Sequence, residues 1–279
     1  IAYVGMLVSG QDTLIAARIP FIVLFAFAAS LTAWVSWSIF RSQLYALVSG
    51  SLVLLSGYYL KFVTVPDGFA ILFLCGAVLA LLIYKRNEVS TAFLSVAMGM
   101  VCGVIHMTRA DGFVWFLLAG GFLLFHLVRK KQNDDRIFAW KVLSYVALFA
   151  GSYLLISGWW YFRNWQSYGS LMPPGGLRGL WLTGYEDLFL YPPQELTIER
   201  WLATGWVEII LTRVKALGIN LISFISVGGL IFLIPGLFQG FKSITDRLLR
   251  NFWIAGFGLV LLIMSVVFPY AGIRGCFLH

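Results

Sequence analysis

Charge is scarce in this sequence. Of its 279 residues, only 11% are Asp, Glu, Lys or Arg, whereas about a quarter of the residues in an ordinary soluble domain are charged. Hydrophobic residues make up 60% of the chain, and the mean hydropathy is +0.88. These values exclude an ordinary soluble domain and predict an all-α polytopic membrane protein.

The sequence also has few residues that bind metals. It contains three cysteines and three histidines. Cys75, Cys102 and Cys276 show neither metal-ligand spacing nor an obvious pairing, and the histidines are far apart along the chain. The net charge of +8 is typical of membrane topology and of contact with anionic lipid, so we expect no nucleic-acid partner.

What the sequence does contain is long apolar runs. A helix needs roughly 20 apolar residues to cross about 30 Å of hydrocarbon. Eight segments are candidates for spanning helices: 19–40, 44–63, 68–84, 91–108, 113–128, 142–162, 217–241 and 252–270. We expect them to form a single membrane domain over residues 1–279, with one large loop at 163–216.

Loop charges predict the orientation, because short cytoplasmic loops accumulate Lys and Arg. The loops on one side contain these basic residues: Arg41, Lys85, Arg86, Arg129, Lys130, Lys131, Arg136, Lys141, Lys242, Arg247 and Arg250. The short loops on the other side contain Lys61 with Asp67, and Arg109 with Asp111. We therefore expect this second side, together with the loop 163–216, to face outward from the plasma (inner) membrane.

The large loop has an amphipathic stretch near its end. Thr197 is a good N-cap for a helix that continues to about residue 215. Trp201 and Trp206 are typical of a membrane interface, so we expect this helix to lie along the membrane and to turn inward at about Leu217. A polar lead-in to the next spanning helix is the alternative.

Two pairs of glycines have the spacing of close helix packing in membranes. They are Gly99-x-x-x-Gly103 and Gly236-x-x-x-Gly240, and small residues at this spacing let two helix backbones approach each other. We interpret both pairs as packing motifs with no part in chemistry.

The sharpest polar motif is a tight hairpin between two apolar segments, Thr108-Arg109-Ala110-Asp111-Gly112. The planar guanidinium of Arg109 suits a phosphate group. Asp111 would orient Arg109, hold an acceptor hydroxyl or help to hold a metal. Alternatively, the two side chains are helix ends that reach towards water and neutralise each other.

Other outward polar residues also have two interpretations. Asp67 begins the third apolar segment, where the helix dipole alone favours a carboxylate, and a site role is the alternative. Arg163 would clamp a phosphate and Asn164 would bind a hydroxyl, unless Arg163 only anchors its helix at the headgroups. Arg274 and His279 fall on the same side.

Several of these motifs, in chain order, carry a resemblance to a known family. They are Ala16-Ala17-Arg18-Ile19-Pro20, Pro66-Asp67, the hairpin 108–112, Tyr161-Phe162-Arg163-Asn164, Tyr168-Gly169, Pro173-Pro174-Gly175-Gly176 and Arg274-Gly275. With them the chain resembles the GT-C class of membrane glycosyltransferases. More narrowly, it is similar to the bacterial branch related to protein mannosyltransferases and the lipid A aminoarabinose transferase, over most of its length.

The resemblance implies an integral membrane enzyme. Such an enzyme passes a sugar from a polyprenyl-phosphate carrier to a lipid, glycan or protein acceptor at the outer face. The resemblance makes Arg109, Arg163 and Arg274 the candidates for binding the donor phosphate. The candidates for contact with the acceptor or with a divalent metal ion are Asp67, Asp111, Asn164 and His279.

The sequence departs from the family pattern at its beginning. The family places an acidic residue, which is the catalytic base or lies beside the metal, in the first outer loop after the first span. That loop would precede Ile1. We therefore expect the sequence to be a fragment that is inactive alone, and we assign no general base.

Three other functions compete with this interpretation. A transporter or flippase needs a polar or ionisable path at the membrane midplane, and the apolar segments here contain almost no charge. An O-antigen ligase or polymerase also has many spans and one large outer loop, but it uses a diphosphate-linked oligosaccharide. A purely structural membrane protein would have no use for the organised outer Arg, Asp and Pro-Gly pattern.

Overall fold

The computed structural model describes residues 1–55, 65–109, 112–129, 135–172, 178–189, 193–228 and 247–273. Every regular element in this part of the chain is a helix or a helical turn. The helices are α1 (Ala2–Ser9), α2 (Leu14–Phe40), α3 (Gln43–Leu54), α4 (Phe69–Tyr84), α5 (Thr91–Thr108), α6 (Gly112–Arg129), α7 (Asp135–Tyr168), α8 (Ile198–Ala203), α9 (Trp206–Gly228), α10 (Arg247–Leu262) and α11 (Pro269–Ile273).

Short polar side chains begin several of these helices. The hydroxyl of Thr13 accepts from the backbone N–H of Ala16 at 3.2 Å at the start of α2. Ser90 does the same at α5, where its hydroxyl accepts from the N–H of Phe93 at 3.2 Å. Each cap satisfies a backbone donor that the first helical turn leaves without a partner, which is why the helices begin there.

Five helical segments are long and apolar enough to cross a membrane: Leu14–Phe40, Thr91–Thr108, Gly112–Arg129, Phe138–Tyr168 and Arg247–Val267. They correspond to five of the eight segments predicted from hydropathy. The all-α prediction is therefore confirmed for the described residues, and five of their helical segments have the length and apolar composition of a membrane span.

The other three predicted segments have a different outcome. Gln43–Leu54 and Phe69–Tyr84 are apolar helices of 12 and 16 residues, shorter than a typical span. The predicted segment 44–63 continues beyond α3 into residues outside the described ranges. So does 217–241, which begins inside α9. Eight spans therefore stay a prediction.

The chain divides into two compact units. The first comprises Ile1–Gly158 and Ile234–Trp253, and the second comprises Trp159–Leu233 and Ile254–His279. In the first, α2 packs against α1, α3 and α4, and α5 packs against α4 and α6. An aromatic cluster that includes Phe21, Phe25 and Phe69 lies in this core.

Gly99 and Gly103 let α5 approach α7 closely. A Cβ atom on Gly99 would lie 2.2 Å from the carbonyl oxygen of Phe149, and one on Gly103 would lie 2.8 Å from Cβ of Ile156. Both distances are below van der Waals contact, so any larger residue would separate the helices. The first glycine pair is thus a packing motif, as predicted, whereas Gly236 and Gly240 lie outside the described residues.

Helix α7 is longer than hydropathy predicts. The expected span ended at residue 162, but the helix continues to Tyr168, and Gly169 follows it with φ 66°. Glycine adopts this left-handed conformation without strain, so it commonly ends helices. The six additional residues include Trp165 and Tyr168, which contribute to the helix although they lower the mean hydropathy.

In the second unit, the predicted interfacial helix is two helices. Thr197 is the N-cap of α8, as expected, and its hydroxyl accepts from the N–H of Arg200 at 3.3 Å. The helix ends at Ala203, because Gly205 takes φ 84° and redirects the chain into α9. Since α9 runs unbroken from Trp206 to Gly228, the predicted turn at Leu217 is wrong.

Candidate functional site

In the first unit, the beginning of α4 meets the end of α5. Asp67 lies just before α4, and its Oδ1 atom accepts from the backbone N–H of Gly68 at 2.6 Å. A carboxylate at this end of a helix is favoured by the helix dipole. A Cβ atom on Gly68 would lie only 2.3 Å from Cγ2 of Thr108. Glycine at this position therefore lets the residues just before α4 contact the last turn of α5.

Arg109 lies at this same junction. Its backbone N–H donates to the carbonyl of Ile105 at 3.0 Å and closes α5. Its guanidinium carbon is 5.6 Å from the ring centroid of Phe69, the first residue of α4, within the range of a cation–π contact. The structure thus brings Asp67 and Arg109 to one end of the unit, as the loop charges predict.

His106 lies one turn before Arg109 and has a packing role. Its side chain is buried, and its Nδ1 atom shares a short hydrogen bond with the hydroxyl of Tyr153 on α7. A Cβ atom on Gly112 would lie 2.5 Å from Cα of His106, so glycine is also needed at the start of α6. The histidine fixes the helices that position Arg109.

The end of α7 holds two predicted site residues in different environments. Arg163 is exposed. Asn164 is only 3% exposed, and its side-chain amide donates to the carbonyl of Leu171 at 3.1 Å. Asn164 therefore ties the chain after α7 back onto the helix, a role that its sequence position did not predict. Its contact with an acceptor stays a prediction.

The remaining predicted residues are Asp111, Arg274 and His279, which lie outside the described residues. Arg109 belongs to the first unit and Arg163 to the second, and their convergence on one phosphate stays a prediction. Among the described residues, no three His, Cys, Asp or Glu side chains come together as metal ligands. We therefore assign no residue to a divalent ion.

Sequence reasoning missed Asp187, which organises the polar part of the second unit. Its Oδ2 atom accepts from the backbone N–H of Thr183 at 2.7 Å, from the Thr183 hydroxyl at 2.7 Å and from the N–H of Gly184 at 3.1 Å. Its Oδ1 atom accepts from the guanidinium of Arg200 at 2.8 Å. One carboxylate thereby joins the segment 183–187 to α8.

The hydrogen bonds also set the charge state of this carboxylate. Burial by itself raises the pKa of Asp187, but the bonds from Thr183 and the ion pair with Arg200 outweigh burial and lower the pKa below its usual value. Asp187 is therefore ionised at neutral pH. The Thr183-x-x-x-Asp187 spacing was a visible signal of a local turn, but nothing in the sequence pointed to Arg200, 13 residues further on.

A small open cleft with room for about one water molecule lies beside this network within the second unit. Hydroxyl groups, one carboxylate, one guanidinium and an indole surround it. The lining residues are Leu182, Thr183, Trp201, Thr204, Glu208, Ile209, Thr212, Arg213 and Tyr270. They come from the segment 182–183, from α8 and the turn after it, from α9 and from α11, so tertiary folding builds the cleft.

Arg213 is held in a fixed position in this cleft. Its Nη1 atom donates to the carbonyl of Ile209 at 2.8 Å, and its guanidinium carbon lies 5.2 Å from the ring centroid of Trp201. Partial burial lowers the pKa of Arg213, but a guanidinium stays charged at neutral pH. The indole supports the cation and leaves other N–H donors available to the cleft.

Comparisons with protein-family models, curated proteins and solved structures found no match for this chain.

Proposed function

We propose that the protein is a membrane glycosyltransferase that takes a sugar from a polyprenyl-phosphate donor. The acceptor is a lipid, a glycan or a protein at the outer face of the plasma (inner) membrane. In this proposal the eight apolar segments all span the membrane. The place where α4 begins and α5 ends, with Asp67 and Arg109, faces outward, as does the segment 163–216. The observation that carries the proposal is the position of Arg109 at the mouth of an apolar helix.

The chemistry of the donor explains why this position matters. The prenyl chain stays in the bilayer, so the phosphate lies at the depth of the headgroups, where α5 ends. Arg109 is the cap of that helix and rests against Phe69. A guanidinium at this depth binds phosphate through two parallel hydrogen bonds. It would also stabilise the negative charge that builds up on the phosphate as the sugar leaves.

The test is sugar transfer by the full-length protein in membranes that contain a radiolabelled polyprenyl-phosphate sugar. Replacing Arg109 with Ala should reduce transfer by about a hundredfold or more, the usual effect of removing a group that stabilises transition-state charge. Arg86→Ala is the matched control, because Arg86 follows the other end of α4 and binds the carbonyl of Ile83.

Both variants should insert into membranes as the parent protein does. Normal transfer by Arg109→Ala would defeat the assignment of the phosphate to Arg109. Absence of any labelled product from the parent protein, with the donor present, would defeat the glycosyltransferase proposal itself.

A transporter is the second candidate, and one observation favours it. Asn220 on α9 is fully buried, and its amide donates to the hydroxyl of Ser265 at 3.0 Å. Ser265 lies in the π-helical turn Ile263–Val267, and π-helical turns frequently mark functional sites. Substrate uptake into vesicles without a glycosylated product would favour transport over transfer.

A further inference from the structure

Helix α10 is followed by a π-helical turn, Ile263–Val267. The backbone N–H of Phe268 donates to the carbonyl of Ile263 at 2.8 Å, five residues back. In an α-helix the same N–H would bind the carbonyl of Met264, four residues back. The residue after Phe268 is Pro269, which has no N–H to donate. The carbonyl of Met264 is therefore left without the backbone partner that either kind of helix would give it.

Asn220 on α9 provides the missing partner. Its side chain is fully buried, and its amide nitrogen donates to the carbonyl of Met264 at 3.4 Å and to the hydroxyl of Ser265 at 3.0 Å. Because a carbonyl can only accept, the contact with Met264 fixes which end of the amide points at the π-helical turn. The Oδ1 atom of Asn220 is buried as well, and in the part of the chain that the structure describes it has no hydrogen-bond partner.

Residues just after the π-helical turn contact the polar segment 178–187 in the same unit. The hydroxyl of Tyr270 on α11 donates to the carbonyl of Thr183. A Cβ atom on Gly179 would lie 3.7 Å from Cε1 of Phe268, so the phenyl ring of Phe268 packs close to that glycine. The segment is thus attached to the chain at the point where the π-helical turn ends.

The π-helical turn has an α-helical alternative. If the N–H of Phe268 moved to the carbonyl of Met264, that carbonyl would be satisfied without an amide from α9. The chain beyond the turn would then rotate by one residue, about 100° around the helix axis, which would carry Tyr270 away from Thr183. The unpartnered Oδ1 of Asn220 costs the π-helical form free energy, so the two forms compete.

We propose that Asn220 is a latch for the segment 178–187. Its two hydrogen bonds hold the π-helical form, and that form places Tyr270 where its hydroxyl binds the segment. When the latch opens, the turn becomes α-helical and the segment is released. A buried amide on α9 thereby controls whether a polar segment on the other side of the π-helical turn is docked. This coupling does not depend on the proposed function.

Hydrogen exchange of the full-length protein in lipid nanodiscs tests the latch. Asn220→Leu removes both hydrogen bonds and keeps a side chain of similar size, so exchange of the segment 178–187 should accelerate about tenfold. Tyr270→Phe removes only the hydroxyl that binds the segment and should accelerate exchange by no more than that. Adding Tyr270→Phe to Asn220→Leu should have no further effect, because the hydrogen bond of Tyr270 is already lost.

Two further variants make the test specific. Thr212→Val is the matched control on α9: Thr212 is buried, but its hydroxyl donates to Glu208 on the same helix at 3.4 Å, so exchange of the segment should be as in the parent protein. Ser265→Ala removes one of the two hydrogen bonds of the latch and should cause a smaller acceleration than Asn220→Leu. It also tests the latch if Asn220→Leu does not fold, which exchange in α5 and α6 would reveal.

Three results would overturn the proposal. The first is parental exchange of the segment 178–187 in Asn220→Leu or, if that variant does not fold, in Ser265→Ala. The second is equal acceleration in Thr212→Val and in the latch variants. The third is a double variant that exchanges about tenfold faster than Asn220→Leu alone, because independent contributions multiply whereas contributions in series do not. None of these measurements involves sugar transfer, so their outcome is separate from that of the proposed function.

Discussion

The two polar regions of this protein are built in different ways. At the first region, the beginning of α4 meets the end of α5. Its two charged residues, Asp67 and Arg109, immediately flank these helices. The cleft around Glu208 and Arg213 combines several segments, including α11, whose Tyr270 hydroxyl donates to the carbonyl of Thr183. The first kind of region leaves a motif in the sequence, whereas the second leaves scattered single residues.

The stabilising contacts differ in the same way. At the junction, close packing of Gly68 on Thr108 sets the geometry. In the second unit, the ion pair and hydrogen bonds of Asp187 set it. A steric change should therefore damage the junction alone, and an electrostatic change should damage the cleft alone.

The largest expected effect on stability is at the junction. In Gly68→Ala, the new methyl group meets Cγ2 of Thr108, whose position is fixed because its hydroxyl donates to the carbonyl of Val104 at 2.7 Å. We expect a loss of about 2 kcal/mol, as for other overpacked sites. Thermal unfolding in lipid nanodiscs would measure it.

A second substitution makes this test specific. Thr108→Ser removes Cγ2 and keeps the hydroxyl, so in the double variant it should restore part of the lost stability; the new methyl group still lies 3.1 Å from the backbone oxygen of residue 108. If Gly68→Ala is as stable as the parent protein, the close approach of α4 and α5 at this point is wrong.

The next effect belongs to the cleft. Asp187→Asn removes the charged partner of Arg200 and weakens three hydrogen bonds, so we expect the segment 178–203 to lose about 1.5 kcal/mol of local stability. Hydrogen exchange of that segment should accelerate roughly tenfold, while exchange in α4 and α5 stays unchanged. Glu186→Gln, at an exposed neighbour, is the control.

Equal acceleration in Asp187→Asn and Glu186→Gln would show that the hydrogen bonds of Asp187 do not hold the segment. Acceleration in α4 and α5 as well would remove the contrast between the two regions.

The smallest effect is a dependence on pH. Because folding lowers the pKa of Asp187, its charge contributes stability above the unfolded value of about 4. That contribution is lost as the pH falls through the folded pKa. Exchange of the segment 178–203, corrected for the intrinsic rate, should be constant from pH 8 to about 5 and should accelerate at lower pH. Asp187→Asn should not show this acceleration.

The sequence predicted what depends on local pattern. Hydropathy identified the long apolar helices, and Thr197 was recognised as a cap because capping needs only neighbouring residues. The packing of Gly99 and Gly103 followed from their spacing. The signs of the loop charges placed Asp67 and Arg109 at one end, and the structure agrees.

What the sequence did not predict depends on contacts between distant residues. The pairing of Asp187 with Arg200, and the cleft itself, require the fold of the whole segment. The break at Gly205 was missed because hydrophobic periodicity continues across it, although glycine is the residue that most readily takes φ 84°. The end of α7 was missed because its last turns are aromatic and polar rather than aliphatic.

The central claim is that Arg109 binds the phosphate of the donor at the end of α5. Sugar transfer by the full-length protein in membranes, measured at several donor concentrations, would test it most directly. We predict that Arg109→Ala reduces transfer by about a hundredfold or more, while Arg86→Ala transfers sugar as the parent protein does. If the two variants transfer sugar equally well, the claim is contradicted.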